Sequence, residues 1–167
     1  MRTFLKFLAI LFLGMSLLPI HGDAQRRHHR RAVKADVSEK KITKKAIPPA
    51  VLKAFEEKYP TAVITGQVRQ VRERIPFYEI QSTDSAITRD VLFQEDGTIV
   101  EIGESIDESD LPQAVRDGLK DKYPSASVEA VDRVSRGPHV EYEITLTIGK
   151  KKVDVVANMA GKVFQVR

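Results

Sequence analysis

Lys58-Tyr59-Pro60 recurs as Lys122-Tyr123-Pro124, and Tyr78-Glu79-Ile80 recurs as Tyr142-Glu143-Ile144. Both pairs stand about 64 residues apart, so a single ungapped shift lays residues 47–103 on residues 111–167. In that register Ile47-Pro48 falls on Leu111-Pro112, Ala50-Val51 on Ala114-Val115, and Ala62 on Ala126. Asp90-Val91 falls on Asp154-Val155, and Gly97 on Gly161. Roughly a quarter of the aligned positions are identical, which two chance tripeptides in one register do not produce. The chain is a tandem duplication.

Each copy reads as a helix followed by short strands. Pro48 and Pro112 sit where a helix begins, a position that tolerates the missing N–H. Val51, Leu52, Phe55 and Tyr59 recur at helical spacing, as do Val115, Leu119 and Tyr123. Pro60 and Pro124 forbid continuation, so each helix is about three turns long. Period-two alternation follows, placing Ile64, Gly66 and Val68 on one face, with Val128, Ala130 and Val134 as their counterparts. Strands are expected over 77–82, 88–94 and 98–102, and again over 142–148, 153–158 and 162–166. Glu95-Asp96-Gly97, Ala160-Gly161 and Gly149-Lys150-Lys151 supply the turns.

Short turns make neighbouring strands antiparallel. The expected fold is therefore α+β, a tandem repeat of two α-β4 units, each an antiparallel sheet with one helix packed on one face. The other face of each sheet stays open to solvent or a partner. The repeats are assigned to 46–103 and 111–167, joined by an acidic linker at 104–110 whose Asp110 is expected to cap the second helix. A unit of about 60 residues is marginal alone, so the two are expected to pack together or share one sheet.

The 45 residues that precede the first repeat bring in the rest of the composition. Residues 1–24 combine Arg2 and Lys6, an apolar run ending at Pro19-Ile20, and Gly22-Asp23-Ala24, the pattern of a cleaved signal peptide rather than a membrane span. A periplasmic or secreted protein is expected. Residues 25–45 read as a disordered basic arm of net charge about +7, while 46–167 carries about −4. The formal net charge of +4 thus belongs to the arm, and a nucleic-acid partner, which needs a basic patch on the folded part, is not expected. An anionic envelope surface is the contact the arm's charge suits. His28 and His29 lie within the arm without a carboxylate or thiolate beside them, so no metal is expected there. The chain has no Cys and no Trp, which removes disulfides, thiolate chemistry and indole stacking.

The order of Pro48/Pro112, Phe55/Leu119, Tyr59-Pro60/Tyr123-Pro124, Tyr78-Glu79-Ile80/Tyr142-Glu143-Ile144 and Gly97/Gly161 resembles the PepSY-like, or β-lactamase-inhibitor-like, family of secreted bacterial proteins. The resemblance covers 47–167. It implies tandem α-β4 units, a periplasmic or extracellular location and no known catalytic activity. The β-lactamase inhibitors of this fold are disulfide-bonded and present aromatics from the sheet, whereas this chain has no Cys and no Trp.

Strand parity nominates the functional residues. With Tyr78 and Ile80 facing the helix, Glu79 faces outward, as does Glu143. Similar parity sends Arg69, Arg133, Asp90 and Asp154 to the same side, giving each unit an Arg–Glu–Asp set for a polar ligand or protein partner. Leu92 and Val156 add apolar area, and Phe77 is the one aromatic anchor candidate. Paired acids at Glu79/Asp90 and Glu143/Asp154 could serve acid–base chemistry, but no motif indicates a cleft, and His139 is alone in an expected turn. The acidic linker lacks the alternating ligands and the Gly of a calcium loop. No catalytic residue, metal site or cofactor is expected. The reading is an exported binding module for a protein or envelope component, including an inhibitor-like role; the alternative is a small-ligand or metal-ion-binding envelope protein using the paired acids.

Overall fold

Proline sets both ends of each helix. In a computed structural model that describes residues 37–165, Pro48 and Pro112 occupy the N-cap positions of α1 (Pro49–Lys58) and α2 (Gln113–Lys122). The C-caps are Tyr59 and Tyr123, whose amides bond back to the carbonyls of Phe55 (2.9 Å) and Leu119 (2.7 Å). Pro60 and Pro124 then stop the helices. Neither N-cap makes a side-chain bond. Asp110, expected as a cap, instead ends a 3-10 turn (Glu108–Asp110) two residues earlier. The signal-peptide assignment and the arm up to residue 36 lie outside the described residues.

Among the described residues nine strands form one antiparallel sheet whose spatial order is their chain order. They are β1 (Val37–Lys41), β2 (Val63–Arg72), β3 (Ile75–Asp84), β4 (Ile87–Gln94), β5 (Ile99–Ile106), β6 (Ser127–Arg136), β7 (His139–Ile148), β8 (Lys151–Asn158) and β9 (Val163–Gln165). α1 lies between β1 and β2 in the chain, and α2 between β5 and β6. The duplication has thus produced one α+β sheet, not two.

Three expectations are corrected. Residues 37–45 are not a disordered arm: β1 pairs with β2 from Val37↔Arg72 to Lys41↔Val68, and a 3-10 turn follows at Lys44–Ala46. The strand was invisible to composition because it is a lysine-bearing edge that buries little, the usual protection of an exposed edge. Its signature is Ile42, partly buried against the first core, which is the 64-residue counterpart of Ile106, partly buried against the second. Likewise 104–110 is not a linker, since Glu104 to Ile106 complete β5. In repeat register β1 corresponds to the second half of β5 and β9 to its first half. β5 is therefore the last strand of one unit and the first of the next. Finally, His139 begins β7 rather than occupying a turn.

Two cores lie on the helix side. Ile47, Val51, Phe55, Tyr78, Ile80, Val91 and Phe93 form the first; Leu111, Val115, Leu119, Val131, Tyr142, Ile144, Leu146, Val155, Ala157 and Val163 form the second. Full burial of each Val, Leu, Ile or Phe among them contributes roughly 1.5–3 kcal/mol.

The two halves differ where the last hairpin meets the helix. A Cβ on Gly118 would lie 2.0 Å from the Gly161 carbonyl oxygen, and Gly161 itself has φ +80°. Its counterpart Gly97 is less crowded, 2.7 Å from the Ala50 oxygen, and α1 carries Ala54 where α2 carries Gly118. Gly118→Ala should therefore destabilise by about 2 kcal/mol or more through overpacking, although alanine gains about 1 kcal/mol of helix propensity. Urea unfolding of Gly118→Ala beside Ala54→Gly checks this: the first should lose more.

Candidate functional site

Strand register assigns every side chain to the helix side or the helix-free side. Bulges in β2 between Ile64 and Gly66, and in β6 between Val128 and Ala130, reset the parity of both strands. Ile64 and Val128 face the helices, whereas Gly66, Val68, Ala130 and Val134 face away. The same shift overturns the expectation for the two arginines. Arg69 is paired with Tyr78, and Arg133 with Tyr142, both helix-side residues. A period of two carried through an unseen bulge inverts everything after it. The Arg–Glu–Asp sets do not exist.

The remaining nominees do share the helix-free face. Register places Glu79 opposite Leu92, Gln81 opposite Asp90, Glu143 opposite Val156 and Thr145 opposite Asp154. Phe77, opposite Gln70, joins them, half-buried with the Arg72 guanidinium 5.6 Å from its ring centroid. The alternation missed Asp132, opposite Glu143, and Glu101, opposite Leu92. Asp132 lies beyond the β6 bulge, and nothing within the strand expected over 98–102 distinguishes Glu101 from its neighbours. Gly103 and Val134 lie between the halves on this face.

The result is a band of carboxylates crossing β3 to β7: Glu79, Asp90, Glu101, Asp132 and Glu143. Val68, Leu92 and Val134 are buried beside them. Burial, reinforced by the charges of Glu79, Asp132 and Glu101, pushes the Asp90 carboxyl up to about 7. Burial also lifts Glu143 to about 7; Arg136 opposes that rise, and Glu101, Asp132 and Glu141 reinforce it. Burial raises Glu79 and Asp132 as well. Asp154 accepts a bond from Thr145 Oγ1 at 3.0 Å and stands apart from the band.

Polar bonds stiffen both ends of the band. Gln70 Nε2 donates to Glu79 at 2.5 Å and Gln81 Nε2 at 2.8 Å, while Arg72 donates to Gln70 Oε1. At the other end Arg136, the repeat counterpart of Arg72, donates to Glu101 at 2.7 Å and Glu141 at 3.1 Å. Arg136 thus ties β5 to β7. Among the described residues no group of three His, Cys, Asp or Glu side chains has the geometry to hold a metal ion.

The helix side of the β5–β6 seam carries the displaced arginine. Arg133 pairs with Glu104, which also accepts from Arg89 Nε at 2.8 Å. Arg89 is 7% exposed and lies 4.1 Å from the Tyr59 ring centroid. Burial works against the Glu104 charge, yet the two guanidiniums hold its carboxyl below the usual range. This cluster is structural, joining the repeats.

Comparison with known proteins agrees with this architecture. A chain from Bacteroides eggerthii described as "putative periplasmic" superposes with TM-score 0.60 at 19% identity, covering 71% of this chain and 87% of its own. A BLIP-like protein from Bacteroides fragilis superposes with TM-score 0.54 at 20% identity, over 70% and 83%. A DUF2874 family protein from Bacteroides uniformis gives TM-score 0.58 at 18% identity, over 70% and 86%. No curated protein matches the chain. The sequence profile described as "Putative beta-lactamase-inhibitor-like, PepSY-like" matches twice, over 33–101 and 86–165. The first match begins upstream of β1, and the two overlap across β4 and the start of β5.

Proposed function

The chain belongs to the PepSY-like, β-lactamase-inhibitor-like family, and from that premise we propose that it is an exported, non-catalytic binding module whose helix-free sheet face engages a protein partner in the periplasm. The carboxylate band carries this reading. Glu79, Asp90, Glu101, Asp132 and Glu143 are held half-desolvated beside Val68, Leu92 and Val134, with Arg136 and Arg72 only at the ends. Such a face suits a partner segment that presents Lys or Arg among apolar residues. A cation arriving there replaces protons and relieves mutual repulsion instead of stripping fully hydrated anions.

Export is supported by the signal-like first 24 residues and by the "putative periplasmic" description of the Bacteroides eggerthii relative. Among the described residues no helix is long and apolar enough to cross a membrane. A non-catalytic role is supported by the inhibitor-like family description. The band is also a poor acid–base pair, because its raised carboxyls belong to one repulsive network rather than to an acid and a base in contrasting environments.

Capture from an envelope fraction tests the proposal. Immobilised wild type should retain a polypeptide that Glu79→Gln/Glu143→Gln loses at least tenfold, whereas Lys53→Gln, on the outer surface of α1, retains it. Retention by the face variant, or loss by the control, removes the assignment of the helix-free face.

A further inference from the structure

Residues 40–46 and 104–110 are built alike and charged oppositely. Each ends a strand, turns through a 3-10 helix (Lys44–Ala46 or Glu108–Asp110) and leads into a helix that begins at proline. The first segment holds Lys40, Lys41, Lys44 and Lys45 and no acid; its 64-residue counterpart holds Glu104, Asp107, Glu108 and Asp110 and no base. The same backbone accepts either sign, so folding requires neither. At Lys40 the basic sign even works against the fold. Register sets it directly opposite Arg69, whereas the second repeat sets Glu104 opposite Arg133 and joins them in an ion pair. Like charges directly opposite are destabilising in an antiparallel pair.

We propose that this basic edge, formed by Lys40, Lys41, Lys44, Lys45 and Arg69, holds the exported protein against the surface of an anionic phospholipid bilayer. All five side chains are exposed. Of the five, among the described residues, Lys44 alone has an ion-pair partner, Glu56 at 3.2 Å. Protection of an edge strand accounts for lysines within β1, but Lys44 and Lys45 lie beyond the strand and Arg69 is on β2. Arg26, Arg27, Arg30, Arg31 and Lys34 precede β1 in sequence and add the same sign.

The chemistry of this edge fits a lipid surface better than a protein. Protein interfaces are depleted in lysine and centre on apolar residues. None of the large exposed hydrophobic residues falls within 38–46, and Ile42 packs against the first core. Lysines clustered without an apolar centre make the diffuse, reversible contact that anionic headgroups accept. The same headgroups repel the carboxylate band, so contact through this edge leaves the helix-free face to its own partner. The proposal depends on export but not on the partner assigned to that face.

Co-sedimentation of the exported form, residues 25–167, with vesicles tests it. Vesicles of phosphatidylcholine containing one-third phosphatidylglycerol should retain the protein, pure phosphatidylcholine should not, and raised salt should release it. Each basic residue near such a surface contributes about fivefold in affinity, so Lys41→Gln/Lys45→Gln/Arg69→Gln should bind at least tenfold more weakly. Lys120→Gln/Lys150→Gln/Lys151→Gln removes the same charge from the second repeat and should bind like wild type, as should Glu79→Gln/Glu143→Gln. Equal retention by both vesicle types overturns the proposal, and so does equal weakening by the two lysine variants, which would make net charge the cause. Wild-type binding by the edge variant, with loss on Arg26→Gln/Arg27→Gln/Arg30→Gln/Arg31→Gln, would assign the contact to the preceding residues and overturn it too. Light scattering supplies the last arm: wild type should be monomeric, and self-association abolished by the edge variant would make the occupant the acidic 104–110 segment of a second copy, against the proposal.

Discussion

Glu104→Ala should lower the unfolding free energy by about 3–5 kcal/mol, the cost of breaking a buried ion pair by removing one partner. The loss comes less from the missing attraction than from what remains. Arg89 is 7% exposed, and one of its terminal nitrogens is already buried without a partner. Without Glu104 its charge is answered, among the described residues, by the face of Tyr59, 4.1 Å away, and a cation–π contact contributes about 2 kcal/mol at best. Arg133 suffers less, because 47% of its side chain is exposed and water can take over. Arg133→Ala should accordingly cost no more than about 1 kcal/mol.

Two further variants separate an ion-pair effect from a packing effect. Glu104→Gln keeps the shape and an acceptor, so it should recover part of the loss. Arg89→Met/Glu104→Met removes both buried charges and should come close to wild type, because a well-packed apolar pair can replace a buried ionic one. Urea unfolding followed by far-UV circular dichroism checks all four. Because Glu104 sits on the strand that both repeats use, Glu104→Ala should also broaden the transition, as the repeats begin to melt separately. An unchanged midpoint for Glu104→Ala would mean that the seam is held by backbone pairing alone.

How much of this was legible depended on whether a residue's role was local. Helix starts at Pro48 and Pro112, stops at Pro60 and Pro124, and turns at Gly97 and Gly161 are set by backbone chemistry within a few positions, and repetition doubled each signal. Glu79, Asp90 and Glu143 reached the right face because their parity was counted from Tyr78 and Tyr142 on an uninterrupted strand, and onto β4 across a regular ladder. Arg69 and Arg133 did not, because a bulge of one residue changes parity and leaves no mark in Thr65 or Glu129. β1 was hidden for another reason. Its backbone bonds are indifferent to side-chain identity, and its lysines are what an edge requires, so the sequence of a strand looked like that of a tail. The carboxylate band is non-local in the strongest sense, since Glu101 and Asp132 acquire their importance only from neighbours on other strands.

Those neighbours make stability depend on pH in an unusual direction. In the unfolded chain Asp90 and Glu143 titrate near 3.8 and 4.5, whereas in the fold both are raised to about 7. Between those values the folded protein holds protons that the unfolded chain has released, so raising the pH favours unfolding. Their stabilisation is complete below about pH 4 and is lost as pH climbs through 7. Burial raises Glu79 and Asp132 in the same sense. Glu104 acts oppositely. Burial opposes its charge, but Arg89 and Arg133 hold its carboxyl down, so its contribution is lost only as pH falls below about 4.5. Stability should therefore peak in mild acid and fall by something on the order of 3 kcal/mol between pH 5 and 8, or roughly 10 °C in Tm. Asp90→Asn/Glu143→Gln should flatten that slope and melt above wild type at pH 8. Arg136→Met, which removes the cation nearest Glu143 among the described residues, should steepen it. A wild-type Tm that holds level or rises from pH 5 to 8 would mean that the band is fully ionised and well hydrated. That result would also deprive the helix-free face of its advantage for a cationic partner, because the strain that such a partner relieves is the strain that this titration measures.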